Sequence, residues 1–295
     1  MAIFYGSCSA IVTPFTKDGK EINFNTLKKL IDYQLDNGTN AIVFLGTTGE
    51  SSTLTKEEKI SIVKFAVSYI NGRVPVIVGA GSNNTKIAVE NSILYESLGA
   101  DALLHVTPYY NKCTQNGLIK HYLEIANSVN IPIILYNVPS RTGVNILPST
   151  VEKLSKHKNI TAIKEASGNM DQITSLLSSL QDDFSVYSGD DALTLPILSV
   201  GGKGVISVIS NVAPREMANL CSAYFSNDYE LCKEIQLKLY PLIKLLFLEV
   251  NPIPIRAALQ IAGFDMGPPR LPLTPAESET ILKLKAELKK LKIIN

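Results

Sequence analysis

Eight times before about residue 210, a short β-branched apolar run is followed by a helix-like apolar periodicity, with no low-complexity linker between the units. The runs are Ser7 to Val12, Ala41 to Leu45, Val74 to Val78, Ala102 to Val106, Ile131 to Tyr136, Ile160 to Lys164, Phe184 to Tyr187 and Gly204 to Val208. Most are almost continuously apolar, as strands buried on both faces must be. Strand–helix alternation predicts a parallel sheet, and eight repeats are the number that closes it into a (β/α)8 TIM barrel. After the eighth run only helical periodicity remains, from Tyr229 to Leu248, Pro254 to Ile261 and Pro275 to Leu291. The expected organisation is an α/β barrel domain over residues 1–226 and a C-terminal helical domain over 227–295, which suits a chain of 295 residues.

Local signals agree with that pattern. Thr55-Lys56-Glu57-Glu58 reads as a capping box that opens a helix filled by Val63, Phe65, Ala66, Val67 and Ile70 and stopped by Asn71-Gly72. In the preceding helix Leu27, Leu30, Ile31 and Leu35 share one face, and Asn37-Gly38 ends it. Lys283, Lys285, Lys289, Lys290 and Lys292 crowd the last helix, where basic residues complement the helix dipole and form a solvated face.

Charge and cysteine usage narrow the function. Twenty-eight basic residues against 27 acidic ones leave no footprint for nucleic acid, so small substrates are expected. Cys8, Cys113, Cys221 and Cys232 lie far apart, which argues against a zinc knuckle or a disulfide framework and points to a reducing cytoplasm. The first residues show no basic n-region, and no stretch has the ~18 apolar residues of a membrane span, so a soluble, untargeted chain is expected. His105, His121 and His157 are isolated, and no metal site is expected from them.

A barrel of this kind builds its active site at the C-terminal ends of its strands. Those ends present Gly46-Thr47-Thr48-Gly49-Glu50, Thr107-Pro108-Tyr109-Tyr110-Asn111, Tyr136 to Arg141, Lys164-Glu165 and Ser188-Gly189-Asp190-Asp191. Lys164 follows Ile160-Thr161-Ala162-Ile163, so it can hardly avoid the barrel interior, where loss of solvation disfavours an ammonium and favours a nucleophilic amine. The alternative is a strand-end lysine that reaches water or pairs with Glu165. Tyr136, one strand away, could shuttle protons during imine formation, or could simply pack the core with its hydroxyl satisfied by a neighbour. Thr47 and Thr48 can offer hydroxyls and N–H groups to a carboxylate, although a glycine-rich turn is often only a turn. Arg141, between Pro139 and Gly143, could grip a carboxylate in two hydrogen bonds or lie solvated on the surface. Gly201-Gly202-Lys203-Gly204 lacks the spacing of a phosphate loop and reads as a turn.

Taken together, Gly46-Thr47-Thr48-Gly49-Glu50-Ser51, Val106 to Asn111, Tyr136 to Gly143, Ile163-Lys164-Glu165-Ala166, Ser188 to Asp191 and Asn251-Pro252-Ile253-Pro254 resemble the dihydrodipicolinate synthases over essentially the whole chain. The resemblance implies a cofactor-free, Schiff-base condensation of pyruvate with L-aspartate 4-semialdehyde in the diaminopimelate route to lysine. It implies that Lys164 forms the imine, and that Thr47, Tyr136 and Tyr110 relay protons. Thr48 would hold the pyruvate carboxylate and Arg141 that of the semialdehyde, while Gly189 and Ile206 would line the pocket through backbone atoms. It also implies that Tyr110 comes from a neighbouring subunit, within a homotetramer built as a dimer of dimers.

One departure stands out. Lysine-inhibited members of the family bind lysine through positions matching Ser51, Ser52, Lys56, Lys59, Asn83, Ile87 and Tyr109. Here two expected histidines are lysines and an expected acid is Ile87, so weak or absent feedback is expected. Sister enzymes such as N-acetylneuraminate lyase or a 2-keto-3-deoxy-sugar-acid aldolase share the lysine and tyrosine; Arg141 and the Asn251-Pro252-Ile253-Pro254 motif favour the synthase. A keto-acid binder without turnover would be expected to lack Lys164 or a relay hydroxyl.

Overall fold

A computed structural model describes residues 2–181 and 183–295. Eight parallel strands follow one another around a closed barrel in sequence order. They are β1 (Gly6–Ala10), β2 (Ala41–Phe44), β3 (Val76–Gly79), β4 (Ala102–Val106), β5 (Ile133–Asn137), β6 (Ile160–Glu165), β7 (Ser185–Ser188) and β8 (Gly204–Ser207). The helices are α1 (Phe24–Asp36), α2 (Lys56–Ile70), α3 (Thr85–Ser97), α4 (Gln115–Asn127), the short α5 (Pro139–Thr142), α6 (Pro148–Leu154), α7 (Met170–Ser179) and α8 (Thr194–Ser199). The chain continues through α9 (Pro214–Phe225), α10 (Tyr229–Leu245), α11 (Ile253–Ile261) and α12 (Ser278–Lys290). The expected (β/α)8 barrel with C-terminal helices is therefore present. No helix among the described residues is long and apolar enough to cross a membrane.

Strand limits differ from the apolar runs for identifiable reasons. Pro75 and Pro132 have no N–H for a ladder, and β3 and β5 start just after them. The Val12 N–H is taken by Asn211 Oδ1 at 3.0 Å, and β1 stops before it. Leu45 adopts φ +56°, which turns the chain out of β2 after Phe44.

The helices start and stop where short polar side chains and left-handed residues allow. Asn23 accepts from the Thr26 N–H at 3.0 Å to open α1, whose inner face buries Leu27, Leu30 and Ile31. Full burial of such side chains contributes roughly 1.5–3 kcal/mol each. Gly38, at φ +83°, ends that turn. The capping box of α2 is closed in both directions: Thr55 N donates to Glu58 Oε2 at 2.9 Å and Glu58 N donates to Thr55 Oγ1 at 3.2 Å. Asn71 and Gly72 terminate it at φ +48° and +73°.

By compactness the chain divides into two units. One comprises Met1–Tyr5 and Val63–Ile206, the other Gly6–Ile62 and Ser207–Asn295. In the first, Phe4 stacks on Tyr187 with ring centroids 4.2 Å apart, and the Tyr187 hydroxyl donates to Phe4 O at 2.9 Å. A pair of buried histidines lies among β4, α3 and α4. His105 meets the Ser92 hydroxyl at 3.2 Å, and His121 Nδ1 meets the Thr85 hydroxyl at 2.9 Å. In the second unit Asn211 donates to Ala10 O, and Gln34 donates to Ser210 O, which ties β1 and α1 to the segment after β8.

The two histidines make a pH prediction. Burial holds His105 at about 3 and His121 at about 4, both below the ordinary 6.5. The unfolded chain binds these protons more readily, so their contribution to stability is complete above pH 6.5 and is lost as pH falls toward those folded values. The melting temperature is expected to drop by several degrees between pH 6.5 and about 4, and more shallowly in a His105→Gln/His121→Gln chain. Identical slopes for the two chains would contradict this.

Candidate active site

In the first unit, β6 separates two chemistries by the two-residue period of a strand. Glu165 faces outward toward the helices. Its carboxylate accepts from Asn137 Nδ2 at 3.0 and 3.3 Å and from the Ser167 N–H at 2.6 Å. Burial raises the Glu165 carboxyl above the usual glutamate range, and these hydrogen bonds oppose that shift. Lys164 therefore points the other way, inward, at only 5% exposure. It is not paired with Glu165, and no carboxylate lies within ion-pair distance of its amine among the described residues.

What surrounds Lys164 is aromatic and small. Tyr136 of β5 is its direct register partner, and the Lys164 Nζ sits 4.4 Å from the Tyr136 ring centroid. Tyr136 is 8% exposed, and among the described residues its hydroxyl has no hydrogen-bond partner within the chain. A purely packed tyrosine would be expected to satisfy that hydroxyl. Gly189 closes the other side: a Cβ built there would stand 3.0 Å from both Cε and Cγ of Lys164 and 2.8 Å from the Ala166 Cβ. Glycine leaves the lysine stem its space. Its N–H donates to Glu165 O at 2.7 Å, which keeps the chain after β7 against β6. Ile206, in β8, is fully buried.

The loop after β5 is held by the network behind β6. Asn137 Nδ2 donates to Asn145 Oδ1 at 2.8 Å, Asn137 Oδ1 accepts from Ile146 N at 3.0 Å, and Asn145 Nδ2 donates to Gln172 Oε1 at 2.7 Å. Between these anchors lies the short α5, with Pro139 in the first turn and Gly143 at φ +69° ending it. Arg141 is exposed on this helix. Tyr110 is 93% exposed and adopts φ +69°, so its ring is presented outward. It is not brought against Tyr136 or Lys164 within one chain.

The second unit holds the other sequence candidates on the turn after β2. Leu45 and Glu50 are both left-handed at φ +56° and +54°, an unusual state for such residues. Between them Gly49 N donates to Gly46 O and Glu50 N to Thr47 O, each at 3.1 Å, and Thr13 Oγ1 donates to Gly49 O at 2.7 Å. Thr47 is half-buried and Thr48 buried. Asn251 Nδ2 donates to Thr48 Oγ1 at 3.1 Å.

Glu50 forms a buried ion pair with Arg256, 2.7 Å from Oε1 to Nη1, at 0% and 4% side-chain exposure. Burial raises the Glu50 carboxyl, and Arg256 and Arg270 pull it back. Arg256 also donates to the carbonyls of Thr13, Met266 and Gly267. Sequence reading named Glu50 and Asn251 only as motif members and missed Arg256, whose signal is a lone charge inside the apolar run Ile253-Pro254-Ile255-Arg256-Ala257-Ala258.

Residues 3–291 match the Dihydrodipicolinate synthetase family. The 4-hydroxy-tetrahydrodipicolinate synthase of Alkaliphilus oremlandii (strain OhILAs) is 52% identical, over 99% of this chain and 100% of its own. A crystal structure of dihydrodipicolinate synthase from Thermotoga maritima is 45% identical, with a TM-score of 0.97 over 99% of this chain and all of that one. A crystal structure of the chloride-inhibited enzyme from Acinetobacter baumannii complexed with pyruvate is 43% identical, with a TM-score of 0.95 over 98% and 99% of the two chains. Likeness over whole chains, together with a buried barrel lysine beside a tyrosine, leads to one conclusion: this chain belongs to the dihydrodipicolinate synthetase family.

Proposed function

We propose that the protein condenses pyruvate with L-aspartate 4-semialdehyde, through a Schiff base on Lys164, as a 4-hydroxy-tetrahydrodipicolinate synthase. The observation that carries this reading is the Lys164 amine, buried, without a carboxylate partner among the described residues, and in register with Tyr136. The names of relatives about half identical to this chain support the choice of substrates.

The amine attacks the keto carbon of pyruvate, and loss of water gives the imine. Removal of a proton from the pyruvate methyl group gives an enamine that attacks the aldehyde carbon. The amino group of the second substrate then closes on the imine carbon and releases Lys164. Carbinolamine formation and collapse need protons moved in both directions, a task assigned to Tyr136, with Thr47 and a neighbouring subunit's counterpart of Tyr110 completing the relay. The outward ring of Tyr110 is consistent with a role in another protomer, within the homotetramer that the family resemblance implies. Thr48 holds the pyruvate carboxylate, Arg141 that of the semialdehyde, and Gly189 and Ile206 contribute backbone to the pocket. The reaction needs no cofactor and takes place in the cytoplasm, with residues 227–295 serving the barrel as a helical appendage.

Incubation with pyruvate and sodium borohydride should leave a reduced adduct on Lys164, located by peptide mass spectrometry; an intact Lys164 with activity retained overturns the assignment. Turnover with aspartate semialdehyde and none with N-acetylneuraminate separates this reading from the sister lyases.

Replacing Tyr136 by phenylalanine should lower kcat by ~10²–10⁴, and an unchanged kcat removes it from the relay.

Because Lys56 and Lys59 add positive charge and Ile87 offers no carboxylate, L-lysine below the millimolar range should leave steady-state rates unchanged. Half-inhibition in that range would refute the expectation.

A further inference from the structure

The turn after β2 carries a hydroxyl whose hydrogen has no destination among the described residues. Thr48 is 2% exposed and its oxygen accepts from Asn251 Nδ2. A hydroxyl has one donor and two acceptor sites. Among the described residues no acceptor takes the Thr48 hydrogen, so the donor is left for a ligand. A buried donor without a partner is costly, and a bound anion removes that cost.

Asn251 is well placed to hold this arrangement. It is 4% exposed and stands immediately before Pro252 and α11. Arg256 N donates to Pro252 O at 3.0 Å, so the first turn of α11 links Asn251 rigidly to the guanidinium that grips Glu50. Arg270 N donates to the other Glu50 oxygen at 3.2 Å. The segment therefore touches the turn both at the Thr48 hydroxyl and at the Glu50 carboxylate.

We propose that Asn251 is a positioning residue for pyruvate: its amide donates to the Thr48 oxygen and thereby directs the Thr48 hydroxyl hydrogen to the pyruvate carboxylate. This rests on the assignment of Thr48 to that carboxylate. The polarity of the contact is the essential point. A neutral amide that donates leaves the threonine hydrogen available; a carboxylate in the same place accepts that hydrogen and repels the substrate.

The test uses the full-length protein and the pyruvate concentration that gives half-maximal borohydride trapping on Lys164, alongside KM for each substrate and kcat. Asn251→Ala should raise the pyruvate requirement by about 10-fold, as loss of one hydrogen bond would, with KM for the semialdehyde unchanged. Asn251→Asp, of the same size, should raise it at least as far, whereas a space-filling role would leave it near wild type. In a Thr48→Val background, Asn251→Ala should add no more than about two-fold, because the two act through one hydroxyl. An unchanged pyruvate requirement in Asn251→Ala, wild-type behaviour of Asn251→Asp, or full additivity with Thr48→Val overturns the inference alone. Absence of any adduct in the wild-type chain overturns the pyruvate reading and this inference with it. Should Asn251→Ala fail to fold, the Asn251→Asp comparison decides the matter.

Discussion

A single guanidinium organises the second unit. Arg256 brings its charge into a place where it is 4% exposed and meets there the Glu50 carboxylate together with the carbonyls of Thr13, Met266 and Gly267. Two charges taken out of water are tolerated only when the remaining donors and acceptors are also met, and removing one partner of such a pair costs roughly 3–5 kcal/mol. The pair thus couples the loop after β1, at Thr13, the turn after β2 and the segment after α11. Nearby, Phe15 offers its ring to both Arg256 and Arg270, at 5.0 and 4.3 Å from the guanidinium carbons. Gly267 is required where the chain passes closest: a Cβ there would lie 2.5 Å from the carbonyl oxygens of Phe15 and Thr16.

The first unit achieves the same end with neutral amides. Asn137, Asn145 and Gln172 surround Glu165, and the hydrogen bonds that hold its carboxylate also fix the loop after β5. Strand alternation then does the rest, since whatever anchors Glu165 outward directs Lys164 inward. Among the described residues, the Lys164 amine is left with an aromatic ring, a glycine and no counter-ion. The outward commitment of Glu165 keeps its carboxylate away from that amine.

Much of this was legible in the chain. The eightfold period, the capping box at Thr55 and the left-handed stops at Gly38 and Gly72 are local patterns, and local patterns survive into the fold unchanged. The apolar run before Lys164 was enough to place that residue in the barrel. Strand ends were less legible: apolarity continues through Pro75 and Pro132 on one side and into Leu45 on the other, while the ladder depends on N–H groups and dihedrals that apolarity does not report.

Sequence alone determined the barrel and the neighbouring strand positions of Lys164 and Tyr136, because strand period and strand order depend on neighbours in the chain. Tertiary structure decided everything that depends on partners far apart in it. The choice between a Lys164–Glu165 pair and a lone amine rested on where Asn137 and Ser167 stand. The arrest of the turn after β2 by Arg256 and Asn251 spans some two hundred residues, a separation over which no periodicity or capping rule carries information.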